Sequence, residues 1–513
     1  MTRVDDLASW HHDWSGLRVA VLGLGVTGFA AVDTLAELGA AVTAVAERVD
    51  DERRTILGVL DVPIVDAGRD EVPGALADAE LVIASPGLRP DHPWLVAAAD
   101  RGIPVWGDIE LAWRVRDKVR AAEWILITGT NGKTTTTQLT AHMLRAAGLR
   151  VAPVGNIGTP VLDAVRDPQG FDVLVVELSS FQLHAMADDG PGALWPHSAA
   201  CLNIDDDHLD WHGSADAYRA AKARVYHNAR VAAVYGIDDP ATQRMVEEAE
   251  VVEGCRAIGF GLGVPGPSDL GLVDGILVDR AFLDDRHRQA LELGSLDDLE
   301  PGGLRSPHMT RNVLAAAALA RAFGAEPAHV RDAIRSFRLD RHRTELIADV
   351  DGVRWVDDSK ATNPHAAEGS LSAFERVVWI VGGLFKGADV APLVERHARR
   401  IVAAVAIGVE RGPVREAFAR HAPGIPLVEV DTADTGAVMR LAVEAAAAHA
   451  APGTTVLLAP AAASMDQFED YAARGDRFAE AVRAQRDRTE RDRTERDREG
   501  GAHGDDDGSR LDH

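Results

Sequence analysis

A short glycine loop between an apolar segment and a helical pattern is the most chemically informative feature of the chain. Backbone N–H groups in such a loop can surround a phosphate chain, and the helix start adds partial positive charge. Lys133 would reach the terminal phosphates, and the Thr134 hydroxyl would help to hold Mg²⁺. The loop is a shortened variant, because the usual pattern has a glycine where Ile127 stands. The predicted ATP-binding residues of this loop are Gly129, Thr130, Asn131, Gly132, Lys133, Thr134 and Thr135.

Further polar residues follow other predicted strands of the same region. Glu177 closes the strand predicted at residues 173–177, and His208 lies just beyond the strand predicted at 198–203. A carboxylate and an imidazole beside a nucleotide loop are suitable ligands for a divalent ion. Lys222 lies on a helical pattern among small residues, where a lysine is usually solvated. Asn156 lies between glycines and is suited to a close substrate or metal contact.

Charged and hydroxyl side chains crowd the ends of three predicted strands in the last third of the chain. Residues 357–363 read Asp-Asp-Ser-Lys-Ala-Thr-Asn, and residues 341–345 before them read Arg-His-Arg-Thr-Glu. The segments at 383–387 and 463–468 follow two other strands and are predicted on the same sheet edge. Such crowding is costly unless the groups are solvated or bind a ligand. We therefore predict a carboxylate-binding region over an ATP-binding domain.

The first third of the chain carries a dinucleotide-type fingerprint. A strand predicted at residues 18–22 is followed by Gly23-Leu-Gly-Val-Thr-Gly28 and a helix predicted at 29–38. Glu47 ends the next strand about twenty residues downstream. Taken alone, this pattern predicts binding of NAD or FAD.

Alternating strand and helix patterns position these residues and predict α/β domains with largely parallel sheets. We predict a Rossmann-like domain over residues 1–120, a central domain like a P-loop ATPase over 121–339, and a Rossmann-like α/β domain over 340–482. Residues 253–305 are less regular and are predicted as antiparallel strands and loops. The charged tail, 483–513, repeats Arg-Asp-Arg-Thr-Glu and is predicted to be disordered or a solvated extension of the last helix. The predicted strands lie at 18–22, 41–46, 62–65, 81–84, 173–177, 198–203, 231–235, 354–356, 377–381, 402–407 and 455–458.

Composition limits the class of protein. At 513 residues the chain has room for about three domains. The net charge of −26 argues against a nucleic-acid partner. Cys201 and Cys255 are predicted to be reduced thiols, and neither a signal sequence nor an apolar segment of membrane-spanning length is found. We therefore expect a cytoplasmic globular protein without membrane insertion, acting as a monomer.

Eight short motifs in order resemble the Mur ligase family of peptidoglycan synthesis. They are GTNGKTT, ELSSFQL, DDDHLDWH, AAKARVY, HRTE, DDSKATN, GGLFKG and ASMDQF, and the resemblance covers residues 15–482. It is strongest to the branch that joins D-glutamate to UDP-N-acetylmuramoyl-L-alanine. The resemblance implies a three-domain ligase that uses ATP and Mg²⁺. Such a ligase converts the substrate carboxyl to an acyl phosphate, which the amine of D-glutamate attacks. It also implies that the third domain closes on the others about hinges near Ala121 and Asp340.

The resemblance also implies a role for each site residue. Lys133, His208 and Lys222 are expected to be catalytic, with Lys222 as the lysine that many members carbamylate. Metal contacts are expected from Thr134, Glu177, His208 and carbamylated Lys222. ATP contacts outside the loop are expected from Asn312, Arg343 and Asp358. D-glutamate contacts are expected from His208, Lys360, Thr362, Lys386, Ser464, Met465 and Tyr471. Contacts to the UDP substrate are expected from Leu24, Gly25, Val26, Thr27, Glu47, Arg48, Ser85, Pro86, Gly87 and Asn156, so that the first glycine turn binds a substrate and not a redox cofactor.

Three alternatives remain open at this point. A sister ligase that adds L-alanine or a diamino acid, or a folylpolyglutamate synthase, would share most motifs. The chain lacks the Asp-Asn-Pro-Arg segment expected of the diamino-acid enzyme. An NAD-dependent oxidoreductase would explain residues 18–47 but not the phosphate loop. A non-catalytic nucleotide-binding regulator would have little reason to retain Lys133, Glu177, His208 and Lys222 together.

Overall fold

The described residues form three β-sheets whose strands are connected by helices. The computed structural model describes residues 3–47, 49, 51–339, 341–385, 388–432 and 434–501. Arg48 and Lys386, two predicted contact residues, lie outside the described residues. The chain divides into two compact units, Met1–Arg338 and Leu339–His513. The three-domain α/β prediction is confirmed at the level of the sheets, and each unit is described by itself below.

The first sheet has five parallel strands in the order β3-β2-β1-β4-β5. Its central strand β1 is apolar and buried after its first residue, as expected for a parallel sheet covered by helices on both faces. The strand order reverses between β1 and β4, where open sheets of this type bind ligands. The elements are β1 Arg18–Leu22, α1 Val26–Glu37, β2 Ala41–Ala46, α2 Asp51–Val59, β3 Ile64–Asp66, β4 Leu81–Ala84, α3 Pro93–Asp100, β5 Val105–Gly107 and α4 Asp108–Arg114.

The second sheet has nine strands in the order β14-β13-β12-β11-β10-β9-β6-β8-β7. Pairing is parallel from β7 to β12, and only β13 and β14 run antiparallel to their neighbours. The antiparallel prediction for residues 253–305 is therefore correct for the pairs β12–β13 and β13–β14, whereas β11 and β12 pair in parallel. The elements are β6 Glu123–Thr128, α5 Lys133–Ala146, β7 Val151–Gly155, α6 Val161–Val165, β8 Val173–Glu177, α7 Ser180–His184, β9 Ser198–Cys201, α8 Leu209–His212, α9 Ala215–Ala223, β10 Ala232–Gly236, α10 Pro240–Glu247, β11 Arg256–Phe260, β12 Asp269–Val273, β13 Ile276–Asp279, β14 Leu291–Ser295, α11 Leu296–Leu299, α12 Pro307–Ala322 and α13 Pro327–Ser336.

The first two sheets pack together within the first compact unit. Trp113 at the end of α4 meets Trp124 of β6 edge to face, with ring centroids 5.2 Å apart. Arg166, just after α6, donates hydrogen bonds to Asp33 at 2.5 Å and to Glu37 at 2.9 Å, both on α1. The division predicted near residue 340 coincides with the boundary between the units, whereas the division near residue 120 lies inside the first unit.

The third sheet has six strands in the order β15-β16-β20-β17-β18-β19. All pairs are parallel except the hairpin of β15 and β16. Apolar side chains fill both faces, as in the first sheet. The elements are β15 Glu345–Val350, β16 Val353–Asp357, α14 Pro364–Ser372, β17 Val377–Gly382, α15 Ala391–His397, β18 Ile401–Ile407, α16 Gly412–His421, β19 Leu427–Glu429, α17 Val438–Ala447, β20 Thr455–Leu458 and α18 Tyr471–Gly501.

The last helix extends into the charged tail. Helix α18 continues to Gly501, so residues 483–501 take the second predicted form, an extension of the last helix. Phe478 and Val482 are buried against the third sheet, and Arg488 contacts Glu444 of α17 at 2.8 Å. Arginine, glutamate and glutamine are good helix formers, so a helix anchored by its first turns can extend through this segment. Residues 502–513 lie outside the described part of the chain. Among the helices described, none has the length and apolar character needed to cross a membrane.

Candidate active site

The predicted phosphate loop connects β6 to α5, and β6 lies between β8 and β9 in the second sheet. Gly129 and Gly132 adopt φ angles of 152° and 80°, which disfavour any residue with a Cβ atom. A Cβ atom on Gly132 would also lie only 2.3 Å from Oδ1 of Asn312, on α12. The Lys133 ammonium donates to the carbonyl oxygens of Gly129 and Thr130, each at 2.9 Å. The structure thus brings Asn312 to the loop, as predicted.

Two side chains that sequence reasoning missed hold this loop in place. Asn203, just after β9, accepts from the backbone N–H of Asn131 at 2.8 Å and donates to its carbonyl at 3.1 Å. The Tyr218 hydroxyl shares a hydrogen bond of 2.9 Å with Thr130 Oγ1, which also accepts from the N–H of Asp205 at 2.9 Å. The sequence position of Asn203 just after a strand could have identified it as a loop contact, because β9 pairs directly with β6.

Glu177 supplies a buried carboxylate at the end of β8, next to β6. The residue is only 2% exposed. Its Oε1 accepts from Asn156 Nδ2 at 3.3 Å, whereas Oε2 is buried and has no hydrogen-bond partner among the described residues. A buried carboxylate oxygen in this state is costly unless a cation or donor satisfies it. The chemistry of Glu177 therefore suits a divalent metal ion, and its role as a ligand stays a prediction.

Asn156, predicted as a contact to the UDP substrate, belongs to the same corner of the second sheet. It follows β7, and its backbone N–H donates to the Glu177 carbonyl at 2.9 Å. The structure thus places Asn156 beside the proposed metal ligand and not on the first sheet. This position suits the other role predicted for Asn156, a close contact to a substrate or to a metal ion.

His208 lies on the loop after β9 within a group of aromatic rings. Its backbone adopts the left-handed conformation, with φ of 52°. Its imidazole packs against Phe181 at 4.8 Å between ring centroids, and Phe181 packs in turn against Trp211 at 4.6 Å. Phe181 lies on α7, four residues after Glu177. The aromatic contacts therefore connect the His208 loop to the helix that follows the Glu177 strand.

Lys222 is buried, although a lysine on a helix is usually exposed to solvent. It is 2% exposed, and its Nζ donates to the Gly129 carbonyl at 2.8 Å and to Thr128 Oγ1 at 3.2 Å. Burial, and secondarily the charge of Lys133, lowers the pKa of Lys222 to about 7. A large fraction of the side chain is therefore an unprotonated amine near neutral pH. Such an amine is nucleophilic and can add CO₂, which is the chemistry that carbamylation requires.

A buried link to the first sheet was not anticipated from the sequence. Asp108 begins α4, directly after β5, and accepts a hydrogen bond of 2.9 Å from Nε2 of Gln182 on α7. Gln182 also forms a capping box with Ser179, between Glu177 and α7. Burial raises the pKa of Asp108 to about 6. This contact therefore fixes the start of α7 against the end of the first sheet.

The predicted UDP-substrate residues collect at the switch point of the first sheet. The loops after β1 and β4 approach so closely that a Cβ atom on Gly23 would lie 2.8 Å from Ser85 Cβ. Gly25 caps the start of α1. A Cβ atom on Gly25 or on Gly87 would point into open space. Glu47 is half exposed, 4.0 Å from the imidazole of His92. The structure thus brings residues 24–27, 47 and 85–87 to one edge of the sheet.

The second compact unit carries the loops predicted for amino-acid binding. They follow β16, β17 and β20, which are neighbours in the third sheet. Lys360 Nζ donates to the Tyr471 hydroxyl at 3.3 Å and lies 4.7 Å from the centre of its ring. Leu384 and Ala463 form a bridge between the loops after β17 and β20. Of the remaining predicted contacts on this edge, Ser464 is buried, Thr362 is half buried, and Met465 is 69% exposed.

The predicted nucleotide contacts Arg343 and Asp358 lie together in this unit. Asp358 accepts from the backbone N–H of Thr344 at 3.1 Å and from the Ser370 hydroxyl. Burial raises the pKa of Asp358 to about 6, while the charge of Arg343 acts to lower it. His342 and Thr344, on either side of Arg343, have φ angles of 66° and 50°. The backbone around Arg343 is therefore strained, and the contacts of the loop are needed to keep it in this conformation.

Comparison with known proteins decides the family. Residues 17–107 match the MurD-like N-terminal domain of Mur ligases, 127–268 match the Mur ligase middle domain, and 342–462 match the Mur ligase glutamate ligase domain. A UDP-N-acetylmuramoylalanine–D-glutamate ligase of Leifsonia xyli subsp. xyli is 62% identical over 94% of this chain and 95% of its own length. The chain belongs to the Mur ligase family.

Other comparisons agree with this membership. A ligase of the same name from Streptomyces avermitilis is 53% identical over 92% of this Mur ligase and 99% of its own length. The crystal structure of the UDP-N-acetylmuramate-alanine ligase of Thermotoga maritima shares the fold, with a TM-score of 0.55 at 19% identity. It covers 91% of this chain and 99% of its own. The glycine turn of the first sheet lies inside the matched MurD-like domain, which removes the basis for the oxidoreductase alternative.

Proposed function

We propose that this Mur ligase joins D-glutamate to UDP-N-acetylmuramoyl-L-alanine with consumption of ATP, in the synthesis of peptidoglycan precursors. The observation that carries the proposal is 62% identity to a ligase of that name over nearly the whole chain. The site is consistent with it, because a phosphate loop bearing Lys133 lies beside the buried Glu177 carboxylate.

The reaction needs ATP because a carboxylate is a poor acylating agent. The γ-phosphoryl group passes from ATP to an oxygen of the substrate carboxylate, which forms an acyl phosphate and leaves ADP. The D-glutamate amine then attacks the carbonyl carbon, the carbon–phosphate oxygen bond breaks, and the amide, inorganic phosphate and a proton are released. Negative charge accumulates on phosphoryl oxygens during transfer. Lys133 and the N–H groups of residues 129–135 are the groups of this chain that would stabilise that charge.

Glu177 is the best-supported ligand for the Mg²⁺ that such a transfer uses. Its Oε2 is buried and accepts no hydrogen bond from the part of the chain that the structure describes, which fits a bound cation. The remaining proposed ligands are the Thr134 hydroxyl, His208 and a carbamate on Lys222. Mg²⁺ would neutralise charge on the phosphoryl oxygens. The pKa of Lys222 supports the carbamate, because an amine must be unprotonated to add CO₂.

The other two sheets are proposed to bind the ends of the substrates. The loops after β1 and β4 would hold the UDP group, and the Asp108–Gln182 contact would keep this sheet in register with α7. In the second unit, the Lys360 ammonium and the Ser464 hydroxyl would bind D-glutamate carboxylates, with Thr362, Lys386, Met465 and Tyr471 completing the site. Arg343, Asp358 and Asn312 would contact the nucleotide.

The experiment that tests the proposal is phosphate release by the purified protein with ATP, Mg²⁺ and UDP-N-acetylmuramoyl-L-alanine. D-glutamate, L-glutamate and L-alanine are added separately. We expect release that requires D-glutamate and is lost in Lys133→Ala. Turnover with a different amino acid and none with D-glutamate would refute the proposed specificity and assign the chain to a sister branch.

A further inference from the structure

Arg474, in the first turns of α18, is buried to an unusual degree for a charged residue. It is only 1% exposed. Its guanidinium donates three hydrogen bonds: to Ser359 Oγ at 3.0 Å, to the Ser359 carbonyl at 2.8 Å and to the Ala462 carbonyl at 3.1 Å. Burial lowers its pKa to about 10, so the group remains charged near neutral pH. All three acceptors are uncharged oxygens, so a simple ion pair does not explain why the charge is buried.

The three bonds connect the segments that carry the proposed D-glutamate contacts. Ser359 immediately precedes Lys360 in the loop after β16, and Ala462 lies two residues before Ser464 in the loop after β20. Tyr471 lies one helical turn before Arg474. The Tyr471 carbonyl accepts from the Ser359 hydroxyl at 2.7 Å, and its own hydroxyl accepts from Lys360. One guanidinium therefore ties both loops to the start of α18.

We propose that Arg474 is a positioning residue for the D-glutamate site. It holds Lys360 and Ser464 at the spacing that the amino-acid carboxylates require. This inference rests on the proposed function, since it assigns a role to a residue around the amino-acid site. Only arginine suits the position, because its planar fork offers donors in several fixed directions, whereas a lysine ammonium is a single point of donation. Geometry at a binding site matters steeply, since a displacement of about 1 Å can cost about a hundredfold in rate.

The neighbouring residue on the same helix, Gly475, lies against the start of the Arg343 loop and the end of β16. A Cβ atom on Gly475 would lie 2.2 Å from His342 Nδ1 and 2.7 Å from Asp357 Oδ2. His342 Nδ1 and Asp357 Oδ2 form a 2.7 Å pair directly before Arg343, a proposed nucleotide contact. Both residues are also hydrogen-bonded to the loop after β16, because Asp357 Oδ1 accepts from the N–H of Ser359 at 2.9 Å and the His342 carbonyl accepts from the N–H of Lys360 at 3.2 Å. Gly475→Ala should therefore affect both D-glutamate and ATP, whereas the bonds of Arg474 to Ser359 and Ala462 make its loss affect D-glutamate first.

The test is steady-state phosphate release by full-length Arg474→Lys, with D-glutamate, ATP and the UDP substrate varied separately. The matched control is Arg477→Lys on the same helix, because Arg477 is 62% exposed and pairs only with the exposed Glu480 among described residues. We expect the KM for D-glutamate to rise at least about tenfold in Arg474→Lys, since hydrogen bonds from a charged donor are lost. The KM for ATP should stay within about twofold, and Arg477→Lys should match the wild type.

Three results would overturn the inference. The first is an unchanged KM for D-glutamate in Arg474→Lys, and the second is an equal rise in the KM for ATP, which would indicate general loosening of the unit. If Arg474→Lys does not fold, Ser359→Ala decides, because it removes one acceptor and keeps the main-chain acceptors. The third result that would overturn the inference is an unchanged KM for D-glutamate in Ser359→Ala. Failure of the proposed function is separately visible, since the wild type would then turn over with another amino acid, whose KM would be measured in its place.

Discussion

Replacing Lys222 by methionine should stabilise the protein while abolishing its activity. The pKa of this lysine falls from 10.5 to about 7 because the ammonium is desolvated on folding. The folded state therefore carries an electrostatic cost that is complete below pH 7, shrinks as the pH rises towards 10.5, and is absent above it. With a pKa of 10.5 in the unfolded chain and of about 7 in the folded protein, this cost is at most about 5 kcal/mol.

The net gain is smaller because methionine cannot replace the two hydrogen bonds from Nζ. Those bonds go to the Gly129 carbonyl and to Thr128 Oγ1, and each contributes about 1 kcal/mol. We therefore expect Lys222→Met to be more stable by about 2–3 kcal/mol at pH 7, with the gain disappearing at about pH 9, where the remaining electrostatic cost equals the lost hydrogen bonds. Turnover should be lost, because methionine offers no amine for a carbamate.

The assay is urea unfolding of wild type and variant between pH 6.5 and pH 10 in CO₂-free buffer, beside phosphate release at pH 7.5. Lys118→Met is the matched control, because Lys118 is paired with Glu37 near the surface and should change stability by less than about 1 kcal/mol. A variant that is less stable at pH 7 would refute the reasoning. So would a gain that is the same at every pH, since burial of the ammonium would then not be its source.

Three further predictions concern the metal, the carbamate and the loop backbone. Glu177→Gln should need at least about tenfold more Mg²⁺ for half-maximal phosphate release, because a neutral amide is a weaker ligand, and an unchanged Mg²⁺ requirement would contradict the assignment. Lys222→Ala should regain part of its turnover with added acetate as a substitute carboxylate, and wild type given ¹³C-bicarbonate should show a carbamate resonance that this variant lacks. Gly132→Ala should weaken ATP binding by at least about tenfold, because φ of 80° and the contact with Asn312 both exclude a Cβ atom, and wild-type affinity in equilibrium dialysis would contradict this.

Local sequence patterns were sufficient to predict most of the strands and the positions of the glycine loops. The strands at residues 18–22, 41–46, 81–84, 173–177 and 455–458 have the predicted bounds, because each is a short apolar segment buried on both faces. The edge strand β3 is shifted, to Ile64–Asp66, since its half-buried residues give a weaker apolar signal. The helical extension to Gly501 was uncertain because charged segments bury little and composition alone does not separate a solvated helix from a disordered chain.

The sequence by itself predicted which segments of the chain would bind phosphate, metal and carboxylates, and it determined that these segments follow strands. Parallel strands bring their carboxyl ends to one edge, so a residue placed after a strand is already assigned to that edge. The tertiary structure alone decided which side chains support those groups. Asn203 contacts Asn131 across 72 residues, Gln182 contacts Asp108 across 74, and Arg474 contacts Ser359 across 115. It also decided the state of Lys222, because a pKa near 7 arises from burial, and burial depends on packing between elements that no local pattern specifies.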